Sequence, residues 1–152
     1  MNINDTTDDG STPLHLACQE GRYDTVKYIL DLNDQTSNRR VDLNIKQRDR
    51  WSVLHVACYS GHTETVKLLI DAGMNVNERT RNGSTPLYLA CQEGKYDTVK
   101  LLLNLNGQTL DSRVDTTIKD VDGFSVLHAA SSARHSKIVK LLSDVGMNAN
   151  DI

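Results

Sequence analysis

The strongest constraint on this chain is an internal copy. Gly10 to Leu30 reads GSTPLHLACQEGRYDTVKYIL and Gly83 to Leu103 reads GSTPLYLACQEGKYDTVKLLL, identical at 17 of 21 positions. Two weaker copies interleave, WSVLHVACYSGHTETVKLLI from Trp51 and FSVLHAASSARHSKIVKLLS from Phe124. Aligned on Leu14, Leu54, Leu87 and Leu127, the copies are 40, 33 and 40 residues apart. The unit is therefore 33 residues, with seven added in the first and third copies. One such unit cannot bury its apolar surface alone, whereas stacked copies bury a continuous core.

Each unit reads as two short helices. Thr12 and Thr85 are good N-caps, because a hydroxyl accepts from an orphan backbone N–H. Pro13 and Pro86 follow at the first helical position, where a missing N–H costs nothing. Ser52 and Ser125 keep the cap in the other copies, with Val53 and Val126 in place of proline. Leu14, Ala17 and Cys18 then share one helical face at i, i+3, i+4. Gly21, Gly61 and Gly94 stand where the first helix ends and a left-handed residue is wanted. The second helix carries Val26, Ile29 and Leu30, matched by Val66, Leu69 and Ile70 and by Val99, Leu102 and Leu103. Turn signals precede the helix pairs at Asp9-Gly10, Asn82-Gly83 and Asp122-Gly123.

Thr12-Pro13-Leu14-His15-Leu16-Ala17 resembles the ankyrin T-P-L-H-x-A signature in full, on the same 33-residue period. Val66 to Asn77, VKLLIDAGMNVN, is similar to that family's second-helix and loop pattern. The resemblance covers nearly the whole chain. It implies an all-α fold, a right-handed α-solenoid of helix–turn–helix repeats with projecting β-hairpin fingers. The chain would then be a single domain, 1–152, with repeats at about 9–44, 45–77, 78–117 and 118–150. Arg50 departs from the glycine of the other finger turns, which predicts a differently shaped second finger. Arg134 replaces the helix-ending glycine of the fourth copy. The added segments, Asp34 to Arg40 and their counterparts near Gly107 to Arg113, lie between a second helix and the next finger. Ser131 and Ser143 stand where other copies carry Cys and Leu or Ile, as in a terminal repeat with a polar outer face; the alternative is that more repeats follow and Asp151-Ile152 begins a truncated one.

Composition narrows the function. The net charge is −3 at a pI near 5.9, which disfavours nucleic acid as a partner. No apolar run reaches the roughly 18 residues of a membrane helix, and Met1 to Gly10 lacks the apolar stretch of a signal peptide. Three cysteines, none in a C-x-x-C pair, argue against a disulfide framework and for a reducing, intracellular location, cytoplasmic or nuclear.

The pairs His15-x-x-Cys18 and His55-x-x-Cys58 have a spacing that could place two zinc ligands on one helical face. The third copy has Tyr88 with Cys91, and the fourth His128 with Ser131, so the pairing is not kept. The resemblance implies instead a histidine in the hydrogen-bond network of the T-P-L-H turn, with a buried small residue at the cysteine position. No P-loop, G-x-S-x-G, H-E-x-x-H or G-x-G-x-x-G occurs. The expectation is a chain without metal, cofactor or catalytic activity.

The resemblance further implies a protein-interaction module, with ligands on the finger tips and the concave first-helix face. Mapped onto this chain, that surface is Arg48, Asp49, Trp51 and Tyr59 in the second repeat. It continues through Arg81, Asn82, Ser84, Gln92 and Glu93 in the third and Phe124 in the fourth. Trp51 and Phe124 are the only Trp and Phe; they either bind a partner or pack on a neighbouring finger. Finger charges are sorted: Asp8, Asp9, Asp120 and Asp122 at the ends, and Lys46, Arg48, Arg50, Arg79 and Arg81 in the middle, with Arg39 and Arg40 near by. The basic stretch suits an acidic partner, or is ordinary solvated loop charge. A monomer is expected. Asn77 and Asn150, with Leu69 and Leu142 eight residues upstream, resemble an ankyrin motif modified by an asparagine hydroxylase, although asparagine also has a structural role in that turn. The other reading is a structural spacer within a larger repeat protein.

Overall fold

The computed structural model describes residues 2–32, 40–105 and 113–146. Among them are eight α-helices and no strand. They form four pairs: α1 (Pro13–Gln19) with α2 (Tyr23–Asp31), α3 (Val53–Ser60) with α4 (Thr63–Asp71), α5 (Pro86–Gln92) with α6 (Tyr96–Leu103), and α7 (Val126–Ser132) with α8 (Ser136–Asp144). Odd helices stack on odd and even on even, and the odd ones touch far more extensively. The stack therefore bends towards its first helices, which makes that side the inner one.

All four cap assignments hold. Thr12, Ser52, Thr85 and Ser125 are extended, and each side chain accepts from the N–H three residues on. In three copies the box is completed by histidine: the cap N–H donates to Nδ1 of His15, His55 and His128, at 3.2, 3.1 and 3.0 Å. An Nδ1 that accepts leaves the proton on Nε2, which becomes a donor. His15 Nε2 donates to the Trp51 carbonyl at 3.4 Å, and His55 Nε2 to the carbonyls of Glu78 (2.9 Å) and Ser84 (3.2 Å). The His15 and His55 rings thus tie the start of their helices to the next finger. Tyr88 does the same job differently, donating its hydroxyl to Asp120 Oδ2 at 3.1 Å.

The first helices end as expected at Gly21, Gly61 and Gly94, with φ of 66°, 75° and 70°. Space as well as dihedral demands glycine: a Cβ on Gly21 would lie 2.6 Å from the His62 ring, and one on Gly94 2.5 Å from His135. Those rings cap the contact by donating to the carbonyls of Gln19 and Gln92, at 2.9 and 3.1 Å. Arg134 occupies the same place in the fourth copy with φ 62°. A left-handed non-glycine costs on the order of 1 kcal/mol. Arg134→Gly should therefore raise the urea midpoint by an amount equivalent to about 0.5–1 kcal/mol, the gain being trimmed by glycine's entropy in the unfolded chain. A lowered midpoint would mean that Arg134 contributes contacts worth more than the strain.

The fingers are turns closed by two hydrogen bonds. Gly10 N–H donates to Thr7 O and Thr7 N–H to Ser11 O; the same pair recurs at Gln47/Arg50/Trp51, Thr80/Gly83/Ser84 and Asp120/Gly123/Phe124. Arg50 keeps this pattern at φ 65°, but Asp49 is also left-handed, and Arg48–Arg50 winds into one 3-10 turn. That is the local difference expected of the second finger. Successive fingers are joined by single bonds, Arg48 N to Asp9 O, Arg81 N to Asp49 O and Val121 N to Asn82 O, at 2.8 to 3.0 Å.

The core is one continuous cluster running through all four pairs. Cys18, Cys58 and Cys91 are fully buried, as are Val26, Val66, Leu69, Val99 and Leu102. At the fourth pair the same face turns polar: Ser131 and Ser143 are exposed. At the first pair Leu16 is 46% exposed, although its counterparts Val56, Leu89 and Ala129 are buried. The seven-residue additions fall almost wholly on 33–39 and 106–112, outside the described residues, as does Asn150. At their edges Arg40 O and Arg113 O accept from Asn4 and Asn77 Nδ2, at 2.9 and 2.8 Å. Asn77 Oδ1 also accepts from Asp115 N–H at 2.7 Å, so both ends of this amide brace the next loop.

Candidate partner-binding surface

Three positions of each repeat build the inner face. The residue before the cap is Ser11, Trp51, Ser84 or Phe124; the third helical residue is His15, His55, Tyr88 or His128; the last turn offers Gln19, Tyr59, Gln92 or Ser132. Side-chain length decides exposure at the first position. The short Ser11 and Ser84 lie beneath their turns at 3% and 7%, whereas Phe124 projects at 47%. Ser84 is therefore removed from the expected surface. It is buried, its carbonyl accepts from His55, and its N–H donates to Thr80 Oγ1 at 3.2 Å.

Trp51 takes an intermediate part. It is half-buried and packs against the core, so it is a structural residue as well as a surface one. Its ring meets Tyr59 edge-on, with centroids 5.3 Å apart and planes at 69°. Such pairs contribute about 0.5–1.5 kcal/mol beyond area burial. Tyr59 itself is 41% exposed, more than packing with Trp51 alone requires. Phe124 stands edge-on to His128 at 5.3 Å. Gln92 is exposed and Glu93 half-buried beside it.

The finger tips carry exposed Arg48, Asp49, Arg50, Arg81 and Asn82. The basic stretch is smaller than residue counting suggests. Lys46 forms an ion pair with Glu78, and Arg79 donates to the carbonyls of Gly83 (3.3 Å) and Lys119 (2.8 Å). Arg81 lies 3.8 Å from Asp49, an exposed pairing worth little. Arg48 and Arg50 are the cations left open at these fingers among the described residues; Arg39 lies outside them.

Residue patterns did not reveal a cleft of about 320 Å³ between α5 and α7, lined by Tyr88, Gln92, Phe124, His128, Ala129, Ser132 and Ala133. Its cause is substitution by small residues. Ala129 stands where earlier repeats carry Val56 and Leu89, and Ser132 where they carry Tyr59 and Gln92. The signal was present in the alignment of the copies, but only a packed neighbour turns a short side chain into a hollow.

The buried thiols are chemically quiet. Desolvation pushes Cys18 and Cys91 up to about 12 and Cys58 higher still. A thiol held protonated is a poor nucleophile and a poor metal ligand. Among the described residues no group of three metal-ligating side chains converges, and no helix is long and apolar enough to cross a membrane.

Stacked helix pairs with linked fingers define a helical-repeat solenoid. Three family models match the chain: ankyrin repeats in three copies over residues 32–113, ankyrin repeats in many copies over 1–53, and a single ankyrin repeat over 122–152. The chain belongs to the ankyrin-repeat family, whose members are generally protein–protein interaction modules and typically non-catalytic. No curated protein matches it.

Proposed function

We propose that this chain binds a protein partner on its inner face and finger tips, and that it catalyses no reaction. The observation that carries this reading is two exposed rings on the first-helix side, Tyr59 and Phe124, each edge-on to a neighbouring ring, Trp51 and His128. Tyr23, Tyr28 and Tyr96 are exposed as well, on the second helices, but Tyr59 and Phe124 stand on the side that the family uses for ligands, and aromatic residues are over-represented among binding hot spots. A spacer has no use for them there, because its first helices need only stack on one another. Arg48 and Arg50, open at the second finger, give an acidic group of the partner a place to pair.

Affinity capture from a cell lysate, with the full chain as bait, tests this. Tyr59→Ala should weaken a captured partner by about 2 kcal/mol, the scale of a hot spot. It leaves the core intact, since Tyr59 is exposed. Trp51→Ala should weaken binding as well but also lower the urea midpoint, because Trp51 packs on the core. Reversing Arg48 and Arg50 to Glu should chiefly slow association, with an effect that shrinks at high salt. A partner held at full strength by both Tyr59→Ala and the charge reversal would move the site off this face.

A further inference from the structure

The cleft between α5 and α7 has walls of three rings, Tyr88, Phe124 and His128, over a floor of Ala129 and Ser132. At about 320 Å³ it sits at the small end of ligand pockets, the size for one long side chain rather than a folded ligand. Its nearest carboxylates are those of the fourth finger, with Arg79 turned away to the Lys119 carbonyl. The third finger braces its turn with the neutral hydroxyl of Thr80, which accepts from Ser84 N–H at 3.2 Å, and in the first finger Thr7 Oγ1 and Asp9 Oδ1 both accept from Ser11 N–H at 3.2 Å. The fourth finger does this with a carboxylate: Asp120 Oδ1 accepts from the N–H groups of Asp122 and Phe124, both at 2.9 Å. Its Oδ2 accepts from Tyr88 at 3.1 Å, and no cation pairs with it among the described residues. Burial, followed by the hydrogen bond to Asp120 and the charges of Asp120 and Asp122, pushes the Tyr88 phenol up to about 12. The rings add the negative potential of their faces.

We propose that this cleft is a subsite for a cationic side chain, a lysine or arginine of the protein partner, held over Tyr88 and Phe124 in the field of Asp120 and Asp122. The proposal rests on the interaction-module reading and gives it a polarity. Arg48 and Arg50 lie two repeats away. At about 10 Å per repeat and about 3.3 Å per extended residue, a bound segment carries its acidic group about six residues from its basic one.

The test needs no partner. The full chain, with 13C-labelled aromatic rings, is titrated with N-acetyl-arginine methylamide, and separately with the norleucine and glutamate analogues. The arginine probe should shift the Tyr88, Phe124 and His128 resonances, binding roughly tenfold tighter than norleucine, with glutamate weaker still. Asp120→Asn keeps the two turn hydrogen bonds and should remove most of that preference. Phe124→Leu, at an exposed position, should weaken the arginine probe while keeping the apolar surface. Equal binding of arginine and norleucine would overturn the proposal in favour of an apolar pocket. Absence of shifts with every probe would overturn it outright, while leaving lysate capture to decide the wider function.

Discussion

A chain cut after Thr117 is expected to unfold at a lower urea concentration and with a smaller m-value than the full protein. In a solenoid, stability is close to a sum of repeat and interface terms, so losing α7 and α8 removes one interface entirely. The fourth finger is tied to the third by Val121 N–H to Asn82 O, Tyr88 to Asp120 and Arg79 to Lys119 O. The cut also uncovers Cys91 and Leu103. Their counterparts Ser131 and Ser143 are the ones that end the described stack in polar atoms. Exposing Cys91 and the remaining covered part of the half-buried Leu103, with the finger bonds lost, gives an expected loss of about 2 kcal/mol or more. The m-value falls because less surface is exposed on unfolding. Adding Cys91→Ser and Leu103→Ser to the truncated chain should recover solubility without recovering the midpoint. An unchanged midpoint after the cut would show that the fourth repeat contributes no interface.

Periodicity alone located the helices, since Leu14, Ala17 and Cys18 can share a buried side only at 3.6 residues per turn. The cap at Thr12 and the left-handed endings at Gly21 and Gly94 were equally legible, because each is a local chemical requirement. The surface was legible only in part. Tyr59 and Phe124 stand exposed where the repeat register puts them. Ser84 does not, because exposure at that position depends on side-chain length over a turn. The basic stretch shrank because Lys46 finds Glu78, and Arg79 finds the Lys119 carbonyl, in neighbouring repeats. Such pairings are contacts between copies, and a pattern read within one copy cannot contain them. The cleft at Ala129 and Ser132 belongs to the same class: it is a property of two repeats in contact.

The buried histidines make folding sensitive to mild acid. His55 is fully buried, donates from Nε2 to two carbonyls, and accepts at Nδ1 from Ser52 N–H. Protonating Nδ1 would break the cap and place a charge in the core. Desolvation accordingly lowers His55 from 6.5 to about 4, opposed in part by the Glu78 carbonyl. His15 is lowered for the same first reason. With the folded value below the unfolded one, the unfolded chain binds the proton first, so acid favours unfolding. Well above 6.5 neither state is protonated and the effect vanishes. As the pH falls from 6.5 towards about 4, stability declines by up to roughly 1.4 kcal/mol per unit for His55. The loss reaches about 2 kcal/mol at about pH 5 and levels off near 3 kcal/mol below the folded value. His15 adds to it in the same direction. The third repeat supplies the control, since Tyr88 fills the same place without an imidazole. Urea unfolding of His55→Tyr across this window should show a shallower fall than the parent, and the His15→Tyr, His55→Tyr double variant a shallower one still. A parent and double variant with parallel pH profiles would refute the assignment and leave the acid sensitivity to the carboxylates.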